Sequence, residues 1–138
     1  MITIPNVGEV ALLDAATGKT AATAWTLRLY TAISPTLGSG SVAGQLTEAV
    51  GGGYAAQALT AANWTTTPAT PTSSAQPAKT FTFTGALTGN PAILGYYITR
   101  ADGTLIGAEA LPTPFTPTTA GDSLIVTPQL TLGSLVND

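Results

Sequence analysis

The chain has 138 residues, a formal net charge of −3 and charged side chains at only 8% of its positions. About a quarter of the residues of an ordinary soluble domain are charged, so the sequence predicts a surface that is rich in uncharged polar groups and partly covered by neighbouring molecules. Its four Lys and Arg residues are scattered singly, which argues against nucleic-acid binding, and the absence of Cys excludes disulfides and thiol chemistry.

Residues 1–6 (MITIPN) predict a short extended arm that ends at Pro5, a residue that cannot donate a hydrogen bond to a strand ladder. Residues 7–17 predict a short helix in which Val10, Leu12 and Leu13 lie near one side. Asn6 is the expected N-cap of this helix. The segment before Lys19 has no basic residue, so it does not resemble a secretory signal.

Two segments alternate apolar and polar residues and therefore predict half-buried strands. In residues 24–30 the inward side chains are Trp25, Leu27 and Leu29, and the outward ones are Thr26, Arg28 and Tyr30. In residues 79–85 the inward side chains are Phe81 and Phe83, and Thr80, Thr82 and Thr84 point outward.

The following strands are predicted from longer apolar runs. Residues 92–99 are apolar enough for a central strand, in which Gly95 marks a bulge or a close approach. Asp102-Gly103 predicts a hairpin, with residues 104–110 as the return strand. Residues 123–132 predict a last strand, with Pro128 indicating an edge or a bulge.

The intervening segments 33–45, 65–78 and 112–121 are rich in Pro, Gly, Ser and Thr and are predicted to be long loops. The fold class that follows is all-β, an antiparallel β-sandwich with a jelly-roll or immunoglobulin-like strand order and a short N-terminal helix. We expect one domain over residues 1–138 and, because no stretch approaches about 18 apolar residues, no membrane span.

The stretch TEAVGGGYAAQALT (47–60) is the most suggestive motif. A phosphate-binding loop would need a Lys next to its glycines, and no Lys lies between Lys19 and Lys79. We interpret the glycines as a turn that needs positive φ angles and brings Tyr54 into packing.

Catalysis is not expected, because the chain has no His and no pair of carboxylates at a useful spacing. Clustered acids that could bind calcium are absent too, so no metal or other cofactor is predicted. Glu109 is interpreted as an exposed strand carboxylate or, alternatively, as the partner of Arg28 or Arg100.

Aromatic side chains are the remaining candidates for a binding site. The candidates for stacking against sugars are Trp25, Tyr30, Tyr54, Trp64, Tyr96 and Tyr97. The alternation around Trp25 favours core packing for it. Tyr96 and Tyr97 are adjacent and must face opposite sides of a strand, so one of them is the better candidate for an exposed ring.

Several segments resemble, in residue character and in order along the chain, small β proteins of tailed bacteriophages. These segments are LRLYT (27–31), LTEAVGGGYAAQALT (46–60), ILGYYITRADGTLIGAEAL (93–111) and GDSLIVTPQLTL (121–132). The resemblance implies a virion structural protein, made in the host cytoplasm and placed on the outer capsid surface. Such a decoration (cement) protein binds between major capsid protein subunits and associates with itself, typically as a homotrimer. A tail or fibre adhesin, that is, a carbohydrate-binding module, is the alternative.

Uncharged segments are the predicted contact elements of such a protein, because a permanent interface is depleted of charges that would have to be desolvated. They comprise the N-terminal arm and the loops at 33–53 and 65–78. The candidate subunit or capsid contacts are Met1, Ile2, Thr3, Ile4, Pro5, Leu37, Val42, Leu46, Val50 and Tyr54.

Overall fold

The computed structural model describes residues 2–19, 24–69 and 71–132, and for Leu132 the backbone only. These residues form one α-helix and ten strands. They are α1 (Asn6–Ala16), β1 (Trp25–Ile33), β2 (Leu46–Glu48), β3 (Gln57–Leu59), β4 (Thr65–Thr67), β5 (Thr72–Ala75), β6 (Lys79–Thr82), β7 (Ile93–Arg100), β8 (Leu105–Phe115), β9 (Ser123–Val126) and β10 (Gln129–Leu132). The predicted all-β, sandwich-like fold with a short N-terminal helix is confirmed.

The largest sheet has the order β2-β1-β7-β8, and β3 pairs with the same edge of β1 as β2 does, at the N-terminal end of β1. A three-stranded sheet has the order β10-β5-β4, and β6 pairs with β9. All of these pairings are antiparallel.

Hydrophobic side chains cover both faces of the largest sheet. Leu27 and Leu29 are fully buried on one face, as predicted, and Phe81 and Phe83 belong to the same core cluster. Tyr30 was expected to face solvent, yet it is only 2% exposed. It belongs to a second core cluster, against which Leu37 and Ala43 of the segment after β1 pack. The alternation within β1 could not predict the burial of Tyr30, because the residues that cover its ring belong to an irregular segment.

β7 is the central strand that its apolar run predicts, since it lies between β1 and β8. Gly95 is paired with Tyr30, and a Cβ at this position would overlap the Tyr30 ring and the backbone oxygen of Glu109. The predicted close approach is therefore confirmed. The hairpin at Asp102-Gly103 is confirmed too: Gly103 has φ 86° and Asp102 Oδ1 accepts a hydrogen bond from Thr104 N at 2.9 Å.

Three loop and strand predictions are wrong. The segment 65–78 contains β4 and β5, which pair with each other, and β5 also pairs with the distant β10. The segment 123–132 is two strands in different sheets, separated at the fully buried Pro128. β8 continues to Phe115, through the start of the predicted loop at 112–121.

The N-terminal residues are part of the core and do not form a free arm. Ile2 is 6% exposed, and Thr3 forms an antiparallel bridge with Ala108 of β8, with hydrogen bonds of 2.7 Å and 3.0 Å. Pro5, not Asn6, is the N-cap of α1, and no side chain caps this helix. Met1 lies outside the described residues.

Candidate functional site

The predicted contact residues differ widely in accessibility. Ile2, Pro5 and Leu46 are buried in the chain, and Ile4 and Leu37 pack half-buried against the two core clusters. Tyr54 is half-buried, and its ring stacks on Phe81 with a centroid distance of 6.0 Å. Thr3, Val42 and Val50 are exposed, and the two valines are 44% and 63% accessible. Of the nine candidates that the structure describes, these three are the exposed ones.

Helix α1 presents two of its large apolar residues, Val10 and Leu13, to solvent. Its buried residues are Gly8 and Ala11, whereas Val10 is 57% exposed and Leu13 is 65% exposed. Residues three apart share a helix face, so Val10 and Leu13 lie together on the side opposite Gly8 and Ala11. Val10 and Leu13 share one side of the helix, as the pattern predicts, and that side faces solvent, whereas Leu12 packs half-buried against the core.

The close approach between α1 and β8 explains this inverted orientation. A Cβ on Gly8 would overlap the backbone oxygen of Ile106 and would lie 3.1 Å from that of Leu105. Only small residues fit where the helix backbone comes this near to a strand. Val10 and Leu13 are consequently left on the outer side, where they form an exposed apolar face, while Leu12 packs half-buried against the core.

A cavity of about 430 Å³ lies between α1 and two sheets. One wall is a row of side chains in register across three strands: Leu59 of β3, Trp25 of β1 and Arg100 at the end of β7. We call this cavity the indole pocket, because both tryptophans of the chain line it.

The opposite wall of the indole pocket comes from the three-stranded sheet. Leu130, Ser74 and Thr66 are in register across β10, β5 and β4, and Thr66 Oγ1 donates a hydrogen bond to Ser74 Oγ at 3.0 Å. The hydroxyl-bearing residues of the lining all belong to this sheet, and they are Thr66, Thr72, Ser73 and Ser74. The helix closes a third side with Ala11, Leu12, Ala15 and Ala16.

Trp25 and Trp64 meet edge to face in the pocket, with ring centroids 5.5 Å apart and planes at 75°. Such a pair fixes the orientation of both rings. Both tryptophans are half-buried, so each leaves part of its surface open. The predicted core role of Trp25 is thus only part of what the structure shows. Tyr96 and Tyr97 do face opposite sides, but both are buried, so neither is the exposed ring that we expected.

A polar network lies beside the three glycines. Gly51, Gly52 and Gly53 all have positive φ angles, as predicted, and the turn places the Tyr54 hydroxyl next to β1. Leu29 N donates to that hydroxyl at 3.1 Å, and the hydroxyl donates to Glu48 Oε1 at 2.9 Å. Arg28 Nη1 binds the two oxygens of Glu48 at 2.9 Å and 2.8 Å.

This network completes a sheet edge. β2 pairs with β1 from Tyr30 onward and β3 pairs with β1 up to Leu27, so the Tyr54 hydroxyl occupies the gap between the two short strands. Burial, together with the hydrogen bond to Glu48, raises the pKa of Tyr54, which keeps the hydroxyl protonated as a donor. Each polar group of the network has a partner, so we assign it a structural role.

Glu109 is half-buried, and it accepts a hydrogen bond from the Tyr96 hydroxyl. Burial is the main cause that raises the pKa of Tyr96, and the Glu109 carboxylate adds to it. Glu109 is therefore not the exposed carboxylate that we expected. Arg28, which was one of its two expected partners, forms its ion pair with Glu48 instead. Within the described ranges, no group of three His, Cys, Asp or Glu side chains could hold a metal ion.

Comparison with family models, with curated proteins and with solved structures finds no match to this chain. In the part of the chain that the structure describes, no helix has both the length and the apolar character needed to cross a bilayer.

Proposed function

We propose that this protein is a structural protein of a tailed-phage virion, which decorates and stabilises the capsid by binding between major capsid protein subunits. In this proposal it acts on the outer capsid surface, associates with itself as a homotrimer and catalyses no reaction. The observation that carries the proposal is the exposed apolar face of α1. The sequence segments that resemble small phage β proteins are the reason for proposing a capsid protein as the partner.

The orientation of α1 supports a docking role because it is unfavourable for an isolated chain. Burying a Val or Leu side chain that would otherwise be exposed is worth about 1.5–3 kcal/mol. The helix buries Gly8 and Ala11 and leaves Val10 and Leu13 more than half exposed. A partner that covers this face gains that free energy.

Symmetric assembly makes a small face sufficient. A capsid repeats the same contact at every equivalent position, and a homotrimer would engage three such contacts at once. Each interface can then be modest while the assembled shell is held firmly. Val42 and Val50 are additional exposed apolar residues that could extend the contact.

Copy number in purified particles is the first test. Many copies per shell would support decoration, a handful would favour the tail, and absence from particles would refute a virion role. The second test is occupancy of undecorated shells by the Val10→Gln/Leu13→Gln double variant, which should bind at least tenfold more weakly.

Ile125→Thr is the matched control, because Ile125 is 64% exposed but lies on β9, away from the helix. It should bind like the parent chain. Equal occupancy by the helix variant and the parent would remove the α1 face from the proposal, even if the protein is found in particles.

The alternative function is a tail or fibre adhesin that binds carbohydrate. The half-buried pair Trp25 and Trp64 favours it, because indole rings stack on sugars. A glycan array and co-sedimentation with host cells would test it. Binding of a glycan that is lost in Trp64→Ala would favour the adhesin over the decoration protein.

A further inference from the structure

The indole pocket has the form of a ligand site. Its volume of about 430 Å³ lies within the range of about 300–1,000 Å³ that is usual for small-molecule pockets. A cavity of about 150 Å³ is enough to hold a benzene molecule, so this one has room for a body of two or three such rings or for a medium-length alkyl chain.

The lining determines the chemistry of the body of the ligand. Its walls are formed mainly by alanine, leucine and tryptophan side chains. A sugar carries a hydroxyl on almost every carbon, and each buried hydroxyl needs a partner. The hydroxyls here are confined to one sheet, and those of Thr66 and Ser74 are bonded to each other. The pocket therefore suits an apolar body better than a sugar.

The charge at the pocket determines the chemistry of the polar end. Arg100 is the only charged residue among the lining residues that the structure describes, and it stands in register with Trp25. A guanidinium has five N–H donors, so it can bind a carboxylate while it keeps other partners. It would repel an ammonium group.

From these walls and this cation we infer that the indole pocket binds a small apolar carboxylic acid, with its hydrocarbon body between Trp25, Leu59 and Leu130 and its carboxylate at Arg100. This inference is independent of the proposed place in a virion, since it concerns a different surface from the outer face of α1. It can hold whether or not the chain belongs to a capsid, whereas an adhesin that bound sugar through Trp25 and Trp64 would use the same pocket for a different ligand.

Tryptophan fluorescence is a direct readout, because the chain has two tryptophans and both line the pocket. Three probes share one alkyl chain and differ in charge: octanoate, octanol and octylammonium. Each is titrated into the full chain while the emission is recorded. We expect octanoate to bind about tenfold more tightly than octanol, as for a charge-assisted hydrogen bond at a half-exposed site, and octylammonium to bind most weakly.

Two variants separate the body from the polar end. Arg100→Met keeps a chain of similar length without the charge, so it should bring octanoate to the affinity of octanol and leave octanol unchanged. Ala15→Leu fills the pocket from the helix and should weaken all three probes at least tenfold. Ala32→Leu is the matched control on an exposed site of β1 outside the pocket, and it should change none of them.

The outcomes are distinct. No emission change with any probe would overturn the site. Equal affinities for the three probes, or an octanoate preference that survives in Arg100→Met, would overturn the assignment of an acid. If Ala15→Leu does not fold, as judged by circular dichroism, the Arg100→Met comparison still decides the inference.

Discussion

Replacement of Tyr54 by Phe removes one oxygen and should cost about 2 kcal/mol of unfolding free energy. The hydroxyl accepts a hydrogen bond from Leu29 N, and Leu29 O accepts one from Ala49 N, so both backbone groups of this fully buried residue point to the same sheet edge. A buried N–H without an acceptor costs about 1–3 kcal/mol. The Glu48 carboxylate loses a donor as well, but it keeps both hydrogen bonds from Arg28, so it adds little.

Urea denaturation and thermal unfolding would measure the effect. For a chain of this size, about 2 kcal/mol corresponds to a fall in Tm of roughly 6–10 °C. Tyr97→Phe is the matched control, because the Tyr97 hydroxyl interacts with the same Glu48 carboxylate and has no backbone hydrogen bond among the described residues. We expect this control to lose no more than about 1 kcal/mol.

The size of the difference between the two variants decides the reasoning. Equal losses in Tyr54→Phe and Tyr97→Phe, or a loss of less than about 0.5 kcal/mol in Tyr54→Phe, would show that Leu29 N finds another acceptor. The explanation of the three glycines as the turn that positions this hydroxyl would then fail.

Three further predictions follow from the packing and the titrating groups. Gly95→Ala should lower the free energy of unfolding, measured by urea denaturation, by about 3 kcal/mol or more, because the added Cβ would overlap Tyr30. Gly44→Ala is the control: a Cβ there meets no atom within 4 Å, so the free energy of unfolding should change by no more than about 0.5 kcal/mol. All four tyrosines have a pKa raised chiefly by burial, that of Tyr97 to about 12. The stability that comes from keeping these hydroxyls protonated is therefore fully present below pH 10.0, the pKa in the unfolded chain, and is lost as the pH rises above it. Tyrosinate absorbance should therefore appear together with alkaline unfolding, and a separate earlier titration would contradict this. Backbone N–H groups of Thr118 and Thr119 lower the pKa of Asp122 below its usual 3.8, so Asp122→Asn should lower Tm at pH 7. The difference in Tm between the variant and the parent should disappear as the pH falls below 3.8, where the carboxylate of the parent becomes protonated. A Tm difference that stays constant with pH would contradict this prediction.

The elements that were predicted correctly are those whose cause is local. Alternation in residues 24–30 and 79–85 predicts which side chains are inward, and Asp102-Gly103 predicts the hairpin because the turn needs those residue types. By contrast, β4 and β5 have almost no apolar residues to alternate. They are strands because β5 pairs with β10, which lies more than fifty residues away in the chain. Local propensity cannot show such a pairing.

The candidate sites were missed for similar reasons. The burial of α1 is set by how near its backbone lies to β8, so the fully buried positions are the small residues Gly8 and Ala11, which a search for large apolar residues does not select. The indole pocket joins Trp25, Leu59 and Arg100 from three strands with Thr66 and Leu130 from two others. The only signal in the sequence was the pair of tryptophans, because the register that aligns the other residues is a property of the folded sheets.

The positions of the charged groups bear on where a partner could cover the surface. Glu48 is paired with Arg28, and Asp14 lies 3.3 Å from Lys19. Asp102 and Asp122 accept backbone hydrogen bonds within their own turns. These groups keep part of their surface in water, so a partner that covered them would still have to desolvate them. A stable contact is therefore expected on the uncharged surface between them. A surface with few charges and an exposed apolar face on α1 both favour a contact that is permanent and largely apolar.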